Sequence, residues 1–337
     1  MLFKIVSVGD YMTGENVHHY RRGIPKKFKN KFRNLIADDV VNLISDGDLL
    51  FLNFESSLAE EDKLSALPIE KAVYVAPMET ISLLKSLNIP LVANIANNHF
   101  GQHGKEVSEY TIQQLENKGI TVIGKTNEPV NLVVNGMNLN IWGVSLVKDN
   151  SESGSYFKST YEELCNELSM NEKEENEIRI ISIHWGTEYS TIENEKQRQL
   201  AKELSLLKFD LILGHHPHTI QPVEKINDTW VTYSHGNFLF DQNFSFLTQK
   251  GLVSTFTFPI DAPNLFISQQ KNFQVVDFKR VSLQELKKFC LENYSDNSSF
   301  LMRIKMKAEL LTHFYELNIP IIKTFGGRLI NTGTKSN

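Results

Sequence analysis

The chain has 337 residues, enough for one large domain or two ordinary ones with a sizeable core. Its net charge of -5 excludes the domain-wide basic field that recruits nucleic acid, and 41% hydrophobic with 22% charged content is ordinary for a globular chain. The two cysteines, Cys165 and Cys290, stand far apart and in no metal-type spacing, so two buried or half-buried thiols are expected.

The chain starts directly on an apolar, β-branched run, and Phe3 to Val8 reads as a strand stopping at Gly9-Asp10. The start shows no long apolar h-region and no small-residue cleavage site, and no run reaches the roughly 18 to 20 apolar residues that span a bilayer. A cytoplasmic protein without a membrane span is expected. Residues 20–33 (YRRGIPKKFKNKFR) carry seven basic side chains, read as a solvated face or as a basic loop that attracts an anionic substrate. Leu49 to Leu52 is a second strand, stopping at Asn53. Residues 78–88 have helical periodicity, and Pro90 to Ala96 is a strand that stops at Asn97-Asn98-His99. Residues 105–118 read as a helix closed by Gly119, followed by a strand from Ile120 to Ile123. Residues 130–147 read as two strands joined at Asn135-Gly136, a hairpin signal.

Residues 149–177 are polar and acidic, with Glu172, Glu174, Glu175 and Glu177 clustered, and read as an inserted solvated helix plus loop. Ile178 to Ile183 is a strand stopping at His184. Residues 193–208 form a polar-faced helix, Leu211 to Leu213 a strand stopping at GHHPH (214–218), and Thr229 to Tyr233 a strand stopping at Ser234-His235-Gly236-Asn237. Two helical stretches, 282–293 and 299–317, close the chain. Residues 1–260 are therefore expected as the main domain and 261–337 as an extension packed on it.

Each strand ends in a small cluster of Gly, Asn, Asp or His, and in α/β sheets the carboxyl ends of strands carry the ligand site. In GHHPH, His216-Pro217-His218 can point two imidazoles into one cavity, since proline restricts the residue before it. His215 either ligates as well or hydrogen-bonds from behind. Other strand ends add Asp10, Asn53, Glu55, Asn98, His99 and His184. This oxygen and nitrogen set lacks thiolate, which argues against an iron–sulfur cluster or a cysteine-based zinc site and suits Mn, Fe or Zn. It is too large for one tetrahedral ion. Two divalent ions bridged by a carboxylate and water would use it and supply hydroxide at neutral pH. Singly, Asp10 or Asn98 would be turn residues and His184 a core histidine; at successive strand ends they point to one site. His18, His19, His103 and His313 lack such a setting, and the role of His235 is open.

Six stretches resemble one family: VGDYMTG (8–14), NFESSL (53–58), ANNHFGQHG (96–104), HWGTEY (184–189), GHHPHTIQPVE (214–224) and GNFLFDQ (236–242). They resemble, in order and over about residues 3–260, the CapA-type poly-gamma-glutamate capsule biosynthesis proteins, a branch of the calcineurin-like metallophosphoesterases. The resemblance implies an α/β fold, a four-layer α/β/β/α sandwich with a small C-terminal helical extension. It implies metal ligation by Asp10, Glu55 (bridging), Asn98, His184, His216 and His218. It implies a substrate-contacting catalytic His99, with Glu188 catalytic, an outer partner or an extra ligand. Asn53, His215 and Asn237 are expected at the substrate. Gln102 stands where the family usually carries an aspartate, and His235 where an apolar residue is usual. The expected function is a soluble dinuclear metal-dependent hydrolase. Its substrate would be a small anionic ester or a poly-gamma-glutamate-like amide. The alternative is a metal-containing binding partner in capsule biosynthesis that does not hydrolyse. Neither reading involves nucleic acid.

Overall fold

The computed structural model describes residues 2–14, 24, 35–60, 73–148, 156–168, 172–174, 177–242 and 245–260, with backbone strands at 267–274, 323–325 and 328–330. The chain divides into two units, Met1–Lys279 and Arg280–Asn337.

Two sheets form the first unit. One runs in the spatial order β15 (Ile267–Gln274), β14 (Lys250–Pro259), β1 (Leu2–Tyr11), β2 (Leu49–Phe54), β5 (Leu91–Asn94), β6 (Thr121–Ile123), and β13 (Asn237–Leu239) also pairs with β1. β1, β2, β5 and β6 are parallel, whereas β14 joins β1 antiparallel. The other sheet runs β11 (Val223–Ile226), β12 (Thr229–Thr232), β10 (Leu211–His215), β9 (Glu177–His184), β8 (Met137–Ser145), β7 (Val130–Val134). Two short strands, β3 (Ser57–Ala59) and β4 (Val75–Pro77), pair separately.

Side-chain alternation along the strands builds the layers. Phe3, Ile5, Leu49, Phe51 and Val92 of the first sheet meet Leu139, Ile141, Ile178, Ile180, Leu211 and Leu213 of the second in one apolar layer. The alternate residues, Val6, Val8, Leu50, Leu52 and Ala93, pack in a cluster with residues of α1 (Asp38–Ser45), α2 (Glu79–Ser86) and α3 (Lys105–Asn117). Val144, Ile181, Ile183, Ile212 and Val231 pack with residues of α4 (Leu164–Glu167) and α5 (Glu195–Leu206). The result is a four-layer α/β/β/α sandwich, the architecture that the family resemblance implied. α5 starts in a capping box in which Asn194 accepts from the Gln197 amide. No helix among the described residues is long and apolar enough to cross a membrane.

The inter-sheet layer changes character along the strands. The parity that buries Leu49 and Phe51 next buries Asn53, and the parity of Val92 reaches Asn94. Ile178 and Ile180 lead to Ser182 and His184, and Leu211 and Leu213 lead to His215, all buried. One end of the sandwich interior is therefore oil and the other polar. At the boundary, Asn94 Nδ2 donates to Ser182 Oγ across the sheets at 3.1 Å.

Several element bounds differ from those expected. β1 reaches Tyr11, β2 reaches Phe54 and β10 reaches His215, so Asp10, Asn53 and His215 sit in ladders rather than in loops. The ladder partners explain this, since Asp10 is in register with both Asn53 and Asn237. β5 stops at Asn94, where its side chain accepts from the Ala96 amide and turns the chain. Asn135 and Gly136 take φ of 50° and 81°, as a two-residue hairpin turn requires. Glu177, expected on a solvated face, opens β9 and is buried against Arg179 (Nε to Oε1 2.5 Å), while Glu172 and Glu174 are exposed. Glu175 lies outside the described residues.

Beyond the boundary expected at residue 260, β15 continues the first sheet. In the second unit, β16 (Lys323–Phe325) and β17 (Arg328–Ile330) form an antiparallel pair. The helices expected over 282–293 and 299–317, and the basic segment 20–33 apart from buried Ile24, lie outside the described residues.

Candidate metal centre

The polar end of the inter-sheet layer is where the strand-end residues converge. Asp10 (β1), Glu55 (just after β2) and His184 (end of β9) are fully buried, and among the described residues they offer ligand atoms all within 4.8 Å of one another. His184 Nε2 lies 2.9 Å from Asn98 Oδ1 and 3.1 Å from His216 Nδ1. His218 Nδ1 lies 3.1 Å from Asp10 Oδ2, and the His216 backbone N–H donates to the same carboxylate oxygen at 3.4 Å. Thus Asp10, Glu55, Asn98, His184, His216 and His218 are brought together from five places in the chain.

Glu55 Oε1 occupies the middle of this set. His99 Nε2, His184 Nε2 and His218 Nε2 stand 3.8, 3.9 and 3.7 Å from it. These distances are too long for hydrogen bonds, and Glu55 Oε1 is buried with no hydrogen-bond partner. Burial, with the nearby carboxylates of Asp10 and Glu188 adding to it, pushes the Glu55 carboxyl well above its ordinary range. Burial also pushes Asp10 up, but hydrogen bonds and charge from His215 and His218 outweigh it and hold Asp10 low. Burial pulls His218 down, and Glu55 and Asp10 more than reverse this, raising it to about 10. Burial and the neighbouring imidazoles depress His184 and His216, the latter to about 3.

The loop geometry is strained where the ligands are aimed. His216 and His218 take φ of 98° and 56°, values that a non-glycine residue holds only when its surroundings impose them. Gly214 makes room beside them: a Cβ there would stand 2.0 Å from the Tyr233 carbonyl oxygen.

Exposure separates the mouth of the site from its floor. Asn98, His99 and His216 retain 6%, 9% and 5% exposure, whereas Asp10, Glu55 and His184 retain none. His99 Nδ1 lies 3.1 Å from Gln102 Oε1, and its ring stacks on Tyr74 at 3.8 Å. Glu188 is half-buried, and its charge acts on both Glu55 and His218. Asn53, His215 and Asn237, expected at the substrate, lie on the floor. Asn53 donates to Asp10 and Glu55. Asn237 faces His218 through Oδ1 and donates to Gln242 and the Thr248 carbonyl. His215 Nδ1 stands 3.5 Å from Asp10 Oδ1.

Tyr74, Tyr189 and Asn97 were missed as parts of the site. Tyr74 (φ 59°) covers His99, and Tyr189 (φ 63°) lies 6.0 Å from the His218 ring. Tyr189 stands in the HWGTEY stretch and was within reach; nothing in the sequence marks Tyr74. His103 is structural, its Nε2 held 2.6 Å from the Val73 carbonyl. His18, His19 and His313 lie outside the described residues.

His235 adjoins the centre from behind. It is buried, stacks on His215 at 5.4 Å and faces the Gly214 carbonyl through Nδ1 at 3.2 Å. Burial, with His215 adding to it, depresses it to about 3. The unfolded chain takes up a proton below the ordinary value of 6.5 that the folded chain refuses until about 3. This group therefore lowers stability as pH falls through that window. His235→Phe is expected to remove the dependence. Urea unfolding of the metal-free proteins should show the variant gaining on wild type by about 1.4 kcal/mol per pH unit below 6.5. Parallel stability curves would show that His235 is not held neutral.

The family described as "Bacterial capsule synthesis protein PGA_cap" matches residues 4–242, which include every residue of this centre. The chain belongs to this capsule-synthesis family. Among curated relatives, "PGA biosynthesis protein CapA" of Bacillus subtilis (strain 168) is 28% identical over 261 residues, covering 73% of this chain and 65% of the relative. "Capsule biosynthesis protein CapA" of Bacillus anthracis is 26% identical over 262 residues, covering 73% and 62%. This PGA_cap chain thus spans somewhat less than two-thirds of the length of those relatives. A crystal structure of a Mycoplasma pneumoniae protein described as a novel phosphatase shares the fold, with a TM-score of 0.53 at 10% identity over 85% of this chain and 99% of that one.

Proposed function

We propose that this PGA_cap chain is a metal-dependent hydrolase of the phosphoesterase type that holds two divalent ions, Mn, Fe or Zn. Its substrate is a small anionic ester or a poly-gamma-glutamate-like amide. The observation that carries the reading is Glu55 Oε1, a buried carboxylate oxygen without a hydrogen bond, ringed by three imidazole nitrogens at 3.7 to 3.9 Å. Ligands that share an ion with bonds near 2.1 Å stand about 3 to 4 Å apart. A buried group left unpaired is costly unless something else satisfies it.

Asp10, Glu55, Asn98, His184, His216 and His218 would hold the ions. When bound, such ions lower the pKa of a water and provide a nucleophile at neutral pH. The protein's own groups do the rest. The Gln102 carbonyl can only accept, so it takes the Nδ1 proton of His99 and leaves Nε2 to give or take a proton at the substrate. Tyr74 stacked on the His99 ring fixes its plane and covers it from water. Glu188, half-buried beside Glu55 and His218, adds a second carboxylate at the site.

A second reading, a metal-containing binding partner in capsule or poly-gamma-glutamate biosynthesis without turnover, is favoured by Gln102. A neutral amide stabilises a His99 imidazolium less than a carboxylate would. Elemental analysis of gently purified protein beside His216→Ala, then a screen of phosphomonoesters, phosphodiesters and poly-gamma-glutamate, separates the readings. About two ions per chain, fewer in the variant, with turnover of one substrate class is the expected result. Ions without turnover select the binding partner. A wild type that retains no divalent ion sinks both.

A further inference from the structure

We infer that Asn97 and Asn53 form a clamp of two carboxamides that sets the orientation of the metal ligands; the inference rests on the metal-centre reading above. Both side chains are fully buried and neither is among the expected ligands. Asn97 uses all of its capacity. Its Oδ1 accepts from the backbone N–H groups of His99 (3.2 Å) and Phe100 (3.0 Å), and its Nδ2 donates to the Phe54 carbonyl (2.9 Å) and to Asn53 Oδ1 (3.3 Å). One side chain thus ties the loop carrying Asn98 and His99 to the end of β2, which carries Asn53 and leads into Glu55.

Asn53 passes the constraint on. Its Nδ2 faces Asp10 Oδ1 at 2.8 Å, Glu55 Oε2 at 3.2 Å and His184 Nδ1 at 3.2 Å. A carboxylate only accepts, so the amide nitrogen must face Asp10 and Glu55. Turning the amide over would set an oxygen against two carboxylate oxygens. The Asn97 donor on Asn53 Oδ1 reinforces the same choice from the other side. Its two N–H groups then serve the carboxylates of Asp10 and Glu55, and His184 Nδ1 lies alongside in the orientation that its tautomer sets. The acceptor capacity that remains on Asp10 and Glu55 is what a cation would use. Asn53 and Asn97 are positioning residues, since each acts on the ions through other side chains.

The test uses the metal-free chain and Mn²⁺ as the probe. In wild type, the side-chain NH₂ signals of Asn53 and Asn97 in ¹⁵N spectra are expected to exchange with water far more slowly than those of exposed asparagines. Asn97→Asp keeps the size and the two acceptor roles but cannot donate. It should speed exchange at Asn53 and weaken Mn²⁺ binding by calorimetry about 10- to 100-fold, the loss that follows removal of an outer partner, with cooperative unfolding retained. Fast exchange at Asn53 in wild type would overturn the clamp whether or not the variant folds. So would a folded Asn97→Asp with unchanged Mn²⁺ affinity. If wild type binds no Mn²⁺, the metal reading fails on its own, and the exchange data still judge the clamp.

Discussion

Glu55→Gln is expected to lose the metal centre and yet make the metal-free protein more stable. The carboxylate sits fully buried beside Asp10 and Glu188, with one oxygen unpaired. Glutamine keeps the shape and can still accept from Asn53, but it cannot ionise, so it removes a group whose charged form burial disfavours. The sign follows from linkage. A carboxyl raised in the folded state keeps a proton that the unfolded chain has released, so its contribution to stability falls as pH rises above the ordinary value of 4.5. The melting temperature of metal-free Glu55→Gln should therefore exceed that of wild type, by a margin that widens as pH rises from about 4.5. With Mn²⁺ added the order should reverse, because an ion bound only by folded wild type stabilises it by mass action. The loss of Mn²⁺ affinity should exceed the 10- to 100-fold typical of outer partners. Calorimetry with and without Mn²⁺ at pH 5 and pH 8 reads both effects. A metal-free variant less stable than wild type at pH 8 would contradict the account of Glu55.

Gly214→Ala should be the more damaging change to the fold. Its Cβ would stand 2.0 Å from the Tyr233 carbonyl oxygen and 2.6 Å from Trp185 Nε1. Those two atoms are already bonded to each other at 2.9 Å, so neither yields without breaking that contact. The adjacent backbone also matters, since the His235 N–H donates to the Gly214 carbonyl. One methyl group must therefore push β10 and the segment after β12 apart, at about 3 kcal/mol or more, at the upper end for overpacking. Urea unfolding of the metal-free variant measures it. A loss below about 1 kcal/mol would mean that this approach has slack the distances deny.

Much of this was legible in the sequence, for identifiable reasons. A strand of a buried sheet is apolar until it meets the site, so Asp10, His184 and GHHPH stood out as polar breaks after apolar runs. The hairpin at Asn135-Gly136 and the helices over 78–88, 105–118 and 193–208 carried local signals that needed no tertiary help. The floor of the site was harder to read. Asn53 and His215 were expected to reach a substrate, but their parity with Leu49 and Phe51, and with Leu211 and Leu213, turns them into the sandwich interior. The continuation of those ladders depends on partners distant in sequence, as Asp10 pairing with Asn237 shows. α1 lacks a side-chain cap, and β13 is three residues long, so neither announced itself locally. Asn97 stood in plain view between Ala96 and Asn98, but a buried asparagine and a turn asparagine look alike until their four hydrogen bonds are counted.

The position of β1 also fixes an order of events during synthesis. It is made before all of its partners and lies inside its sheet, between β2 and the late strands β13 and β14. Contacts so far apart in the chain form slowly, because loop closure comes before any gain from pairing. As the chain leaves the ribosome, Leu2–Tyr11 can pair with Leu49–Phe54 early, but its other edge has no partner until residues 237–259 emerge. While the residues between Phe54 and Asn237 are being made, the growing chain therefore presents a bare apolar strand edge, the kind of surface that chaperones shield and that aggregates when left alone.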